Sequence, residues 1–168
     1  LPYFGRTYGT YCGHKNTPYN RDDFDHAAAV KNGNAVYLAH KLGWIYKKFG
    51  SAYHRQYFLN ALRQIYKASA FQVEMPSAGR AAMNFQEEEN RFCLNLLYAS
   101  PISRGAVEVI EDVVPLYNIS CCVYTEKKIS RVYLGVGKEE LPFTQRNGEV
   151  RFTVPYLHCH QTVVLDIE

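Results

Sequence analysis

The sequence predicts an α+β chain, mainly β, in which a partial α/β segment is followed by an antiparallel β-sandwich. Three observations point there. An apolar stripe at helical spacing runs from Tyr53 to Tyr66, and helix periodicity stops at Met75-Pro76. Beyond it, short apolar runs recur with turn formers between most of them, as in a sandwich. One pair, Asn147-Gly148, is the strongest two-residue type I′ turn signal, and the residues on either side of it alternate. The change of pattern marks a domain boundary at Pro76 and Gly79.

Segment 1–12 is aromatic and strand-compatible, although Gly5 and Gly9 weaken it. Segment 13–27 is polar and rich in turn formers, so it reads as a loop. Lys31-Asn32-Gly33-Asn34 makes a turn, and Ala35-Val36-Tyr37-Leu38-Ala39 is an apolar run that fits a strand covered on both faces. Leu42 to Phe49 reads as a short helix stopped by Gly50. Ser51 then caps a second helix from Ala52 to about Lys67, with Tyr53, Tyr57, Phe58, Ala61, Leu62, Ile65 and Tyr66 as its apolar stripe. Strands are expected at about 79–86, 91–98, 107–111, 116–124, 129–136, 140–146, 149–154 and 160–167.

The Asn147-Gly148 turn fixes a register. It sets Arg146 against Glu149 as an opposite-charge pair, Gln145 against Val150, Phe143 against Phe152, and Leu141 against Val154. In the last strand, Gln161, Val163, Leu165 and Ile167 form the core face, and His160, Thr162, Val164 and Asp166 the other.

Composition excludes several function classes. A net charge of +3 with scattered Lys and Arg gives no stripe for nucleic acid. No apolar run approaches 18 residues, so no membrane-spanning segment is expected. Five cysteines without framework spacing read as reduced and mostly buried, which fits a cytoplasmic protein. The chain opens on Leu1-Pro2-Tyr3 and enters an aromatic segment at once, so the expectation is a piece of a longer polypeptide whose catalytic part lies upstream.

Candidate sites were weighed by chemistry. His158, Cys159 and His160 carry zinc-ligand types, but neighbours on a strand point to opposite faces and no CxxC or HxxxH spacing supplies further ligands. Neither a metal nor a cofactor is expected. Cys12-Gly13-His14 lacks a nucleophile elbow. Asp22, Asp23, Asp25 and His26 lie in a polar loop and read as a solvated face; a hydrolase built on those acids is the least favoured alternative. Glu87-Glu88-Glu89-Asn90 reads as an exposed hairpin turn, and Glu108, Glu111 and Asp112 as surface charge. His40 stands where a parallel strand ends, the place α/β folds put ligands, and Trp44 follows four residues later. His40, Trp44, Tyr46, Tyr53 and Tyr57 are therefore the candidate binding or interface residues, with no catalytic residue among them.

Four stretches carry a resemblance: GNAVYLAH, GSAYHRQYFLNALRQIY, ENRFCLNLLYASPISRGAVEVIEDVVPL and NGEVRFTVPYLHCHQTVVLDIE. Together they resemble the C-terminal end of bacterial glycoside hydrolases of the β-galactosidase (family 42) type and their α-L-fucosidase-like relatives. The resemblance implies that 1–72 is the end of a flavodoxin-like, glutamine-amidotransferase-like trimerisation domain and 73–168 a C-terminal β-sandwich. It also implies a catalytic barrel as upstream partner, a homo-oligomer (a trimer in the parent) and a carbohydrate substrate for the parent. No catalytic residue of that family has a counterpart here. The function expected of this chain is thus a non-catalytic accessory and oligomerisation region of a carbohydrate-active enzyme. A carbohydrate-binding sandwich is the alternative, with Tyr117, Tyr124 and Tyr133 as stacking candidates.

Overall fold

The structure, a computed structural model, describes residues 27–66 and 69–168. The aromatic segment 1–12, Cys12-Gly13-His14 and the acidic loop with Asp22, Asp23, Asp25 and His26 lie outside the described residues. The chain divides into two compact units, Leu1–Ala68 and Ser69–Glu168. Among the described residues it is mainly β, with two helices and several antiparallel sheets.

In the first unit, β1 (Ala29–Asn32) and β2 (Ala35–Leu38) form an antiparallel hairpin closed by Gly33 at φ 55°. This corrects the reading of Ala35–Ala39 as a doubly covered parallel strand. Tyr37 is 68% exposed, and β2 takes its partner from the residues just before the turn. The short apolar run looked buried only because the polar side of the hairpin, Lys31 and Asn32, had been assigned to the turn.

Helix α1 (Leu42–Phe49) buries Leu42 and Ile45, one turn apart, and ends at Gly50. Gly50 is left-handed at φ 62°, and its N–H donates to the Tyr46 carbonyl at 2.8 Å, satisfying a carbonyl the helix would leave open. Helix α2 (Ala52–Leu62) packs against α1 and is shorter than its pattern predicts. Ser51 holds the N-cap position but its hydroxyl does not cap the helix; it pairs with His54 Nδ1 at 2.8 Å. The predicted stripe on α2 is not buried: the helix has no buried residue, and Tyr53, Phe58, Leu62 and Tyr66 are all exposed.

The second unit is a sandwich of two four-stranded antiparallel sheets. One sheet has the order β10 (Phe143–Arg146), β11 (Glu149–Leu157), β8 (Leu116–Tyr124), β3 (Phe71–Val73). The other runs β4 (Arg80–Gln86), β5 (Arg91–Leu97), β12 (His160–Ile167), β9 (Ile129–Leu134). Their inner faces interleave into one core, with Leu94, Leu96, Val132, Val163 and Leu165 from one sheet and Val123, Val150, Val154 and Leu157 from the other, all under 2% exposed. Each such side chain contributes about 1.5–3 kcal/mol by leaving water. A small hairpin, β6 (Ile102–Arg104) with β7 (Val107–Val109), stands apart from both sheets.

Every strand predicted beyond Met75 is present, several with shorter bounds and β11 with a longer one; β3 and β6 were not predicted. Both have too few residues to show a period, and β3 spans the 72/73 boundary drawn from sequence. The Asn147-Gly148 hairpin has the predicted register for Arg146–Glu149, Gln145–Val150 and Phe143–Phe152. Both turn residues have positive φ, 51° and 75°, as a type I′ turn requires. Two details differ. Leu141 leaves the ladder beyond Pro142 and donates its N–H to Val132 at 2.8 Å, so it is buried against β9 rather than set opposite Val154. Glu149 binds Arg151 at 2.6 Å rather than Arg146, because residues two apart share a sheet face.

Candidate functional site

In the first unit the five residues selected from sequence fall into two groups. Trp44, Tyr46 and Tyr53 are exposed, Trp44 at 53% and Tyr53 at 70%. Trp44 meets Phe49 edge-on at 6.1 Å, and the Lys48 ammonium sits 4.8 Å from the Trp44 ring. One end of α1 is therefore an aromatic surface with a cation laid over it. His40 and Tyr57 are half-buried. His40 follows a hairpin strand, so the parallel-sheet ligand position inferred for it does not exist among the described residues. Its carbonyl accepts the Leu42 N–H at 2.8 Å, turning the chain into α1. Tyr57 lines a cleft of about 300 Å³ between the hairpin and the end of α2, together with Val30, Val36 and Ala61. The Lys31 ammonium crosses from the hairpin to the Gln64 carbonyl at 2.9 Å.

The terminal His-Cys-His stretch is a connection and not a continuous strand. β11 ends at Leu157, Cys159 is left-handed at φ 68°, and β12 begins at His160 in the other sheet. His158 is exposed and its ring lies parallel to that of Tyr156, 6.2 Å away. Among the described residues, no group of three or more His, Cys, Asp or Glu is placed to hold a metal ion. Cys93, Cys121 and Cys122 are buried free thiols, and Cys159 is half-buried. Burial, with Cys122 alongside, pushes the Cys121 thiol up to about 12, so it is an inert core group.

The acidic candidates of the second unit are surface ion pairs or turns. Glu87 to Asn90 form the tight β4–β5 turn, with Asn90 at φ 47°. Glu111 receives a two-pronged contact from Arg104 at 2.7 and 3.1 Å. Of the three stacking candidates, Tyr133 is half-buried under the Arg131 guanidinium, 4.5 Å from its ring. Tyr124 is half-buried as well; burial first, then Cys122 and Glu149, raises its phenol above the ordinary value, with Arg151 opposing. Tyr117 differs: it is 64% exposed and lies 5.4 Å from the Tyr156 ring on the neighbouring strand. Sequence reasoning misses Tyr156 as the partner of Tyr117 and His158 as the partner of Tyr156. The β8–β11 pairing that joins them is non-local, and Pro155 reads as the end of a strand that in fact runs on to Leu157.

Over 99% of its length the chain matches an α-L-fucosidase, isoenzyme 2 from Paenibacillus thiaminolyticus, at 33% identity and a TM-score of 0.79. The chain is similar to part of a glycoside hydrolase. It spans 26% of that protein's length. No family model and no curated protein matches it. The likeness supports a glycoside hydrolase-related fold for the whole of this chain.

Proposed function

We propose that this chain is a non-catalytic accessory and oligomerisation region of a carbohydrate-active enzyme, with a β-galactosidase-like or α-L-fucosidase-like glycoside hydrolase as its parent. In this reading the first unit is the end of a trimerisation-type domain and the second a supporting sandwich. Its partners are an upstream catalytic barrel and further copies of the same protein, and its setting is the cytoplasm, where buried reduced thiols persist.

The single observation that carries the proposal is the first unit's apolar surface. Within the described residues α2 covers Tyr57, Leu59 and Ala61 only in part, and Trp44, Tyr46, Phe49, Tyr53, Phe58 and Leu62 remain on the surface of α1 and α2. Aromatic residues grouped on helices are what protein contacts enrich. Some of the described acids support a non-catalytic role: Glu111, Glu140, Glu149 and Glu168 are each engaged by a cation at the surface. A glycosidic pair instead faces across a cleft, about 5–5.5 or 6.5–9.5 Å apart.

Two measurements test this. The chain is expected to show no turnover of nitrophenyl β-D-galactoside or nitrophenyl α-L-fucoside. Light scattering is expected to show association that Trp44→Ala and Tyr53→Ala reduce. Saturable turnover, or association unchanged by both substitutions, would overturn the reading.

A further inference from the structure

We propose that Tyr117, Tyr156 and His158 form a platform on which a pyranose ring stacks, giving the sandwich a sugar-contacting role of its own. The proposal rests on the reading of this chain as part of a carbohydrate-active enzyme. Its physical basis is an inversion in the ladder between β8 and β11. Val150, Phe152 and Val154 pair with Val123, Cys121 and Ile119, and all six are buried. In a regular ladder every second residue keeps the same face, so Tyr156 and its partner Tyr117 would continue that core set. They do not. Tyr117 is 64% and Tyr156 45% exposed, while Leu157 turns inward to 0% and Leu116 packs against the core.

The inversion lies where Asn118 is left-handed at φ 52° and Pro155, which has no N–H, stands on the partner strand. Asn is among the few residues that adopt this conformation at small cost, and Pro interrupts the ladder without leaving an orphan donor. The outcome is that two tyrosines leave the core side together and meet at 5.4 Å with their rings tilted by 54°, so a sugar would stack on one ring and be flanked by the other. The His158 ring extends the row, parallel to Tyr156 within 7°. Burying these rings would have been the stabilising choice. The ladder instead presents them to solvent as adjacent apolar surfaces with a phenol or imidazole at each edge. A pyranose fits that pattern: its C–H face packs on a ring, and its hydroxyls meet the phenols and the imidazole. Cross-strand packing of two tyrosines explains the pair, but not the inversion nor the third ring.

The test is titration of the full chain with methyl α-L-fucopyranoside and with methyl β-D-galactopyranoside, followed by the His158 ring protons in NMR. His158→Gln identifies that signal by its loss. A saturable shift with at least one sugar is expected. Tyr117→Ala and Tyr156→Ala should each weaken binding at least about fivefold, whereas Tyr117→Phe stays within about twofold. Thermal unfolding of each variant verifies that the sandwich is intact. Silence with both sugars to roughly 100 mM overturns the platform. So does affinity unchanged in the two alanine variants, or loss of self-association in those variants without any sugar response, which would make the face a protein contact. A silent titration in a chain that still associates through Trp44 and Tyr53 removes the platform and leaves the accessory reading standing. Glycoside turnover removes the accessory reading on its own.

Discussion

The two units of this chain spend their apolar residues differently. In the sandwich, nine Leu and Val side chains are under 2% exposed, and both sheets contribute to one core. In the hairpin and helices of residues 27–66, only Ala28, Leu42 and Ile45 are buried apolar residues, while α2 buries nothing. The alternation that builds the sandwich is satisfied within its own strands. The helical stripe of α2 has the periodicity of a buried face without the burial. The apolar stripe thus marks a face that the described residues cover only in part.

The largest effects should fall on the sandwich. Leu165→Ala and Leu96→Ala each remove a fully buried side chain from the seam between sheets, and about 2–5 kcal/mol of stability should be lost. At a dilution where light scattering shows the chain unassociated, Trp44→Ala and Tyr53→Ala should change its unfolding free energy by no more than about 0.5 kcal/mol, since neither ring is buried. Urea unfolding of the four variants checks the contrast. If Trp44→Ala costs as much as Leu165→Ala, the two units do not differ in the way described.

A second effect, confined to alkaline pH, sharpens the same contrast. The Cys121 thiol titrates near its ordinary 9.0 in the unfolded chain but is held up to about 12 by burial in the sandwich. Because the folded chain retains a proton that the unfolded chain releases, this contribution to stability is complete below pH 9. It is lost as pH climbs toward 12. Cys121→Ala should flatten the fall in stability over that window, read from urea midpoints at successive pH values. A slope unchanged by the substitution would mean that the thiol is not sealed in the core.

The physical reasons for these contrasts also set what was legible in the sequence. The Asn147-Gly148 register could be written down residue by residue because a two-residue turn leaves no freedom of pairing, and period two then assigns every side chain a face. In the last strand alternation alone placed Val163 and Leu165 in the core, where they are fully buried, but it put Val164 on the opposite face as non-core, and that residue is buried too. Elements of three residues are shorter than any period: β3 and β6 were invisible, and β7 was legible only as part of the longer apolar run 107–111. Non-local partners were equally hidden. Nothing in Ala35–Leu38 says that its neighbour is β1 rather than a parallel strand, nor that Leu141 donates to Val132. At the aromatic row, Tyr117 was selected and its partners missed, because Pro155 reads as the end of a strand. Here it sits within β11, opposite a left-handed Asn118 that changes which side chains face out.

The smallest expected effect lies in the β6–β7 hairpin, and it tests whether the contrast follows burial or follows the unit. This hairpin belongs to the sandwich unit by chain, yet Val107 is 59% exposed and Ile110 56%, as on the helices. What ties it is the two-pronged Arg104–Glu111 contact, whose side chains are 57% and 47% exposed. Exposed pairs of this kind contribute about 0.2–1 kcal/mol, because water already solvates both charges and salt screens their attraction. Arg104→Ala should therefore lower stability by about 0.5 kcal/mol or less, and by less still in high salt, with urea unfolding at two ionic strengths as the measurement. Amide exchange should find Ser103 and Glu108 opening well before the strands of the two sheets. A loss above about 2 kcal/mol would be beyond what an exposed pair supplies. The hairpin would then be part of the sandwich's cooperative core, and chain membership rather than burial would decide how the two regions respond.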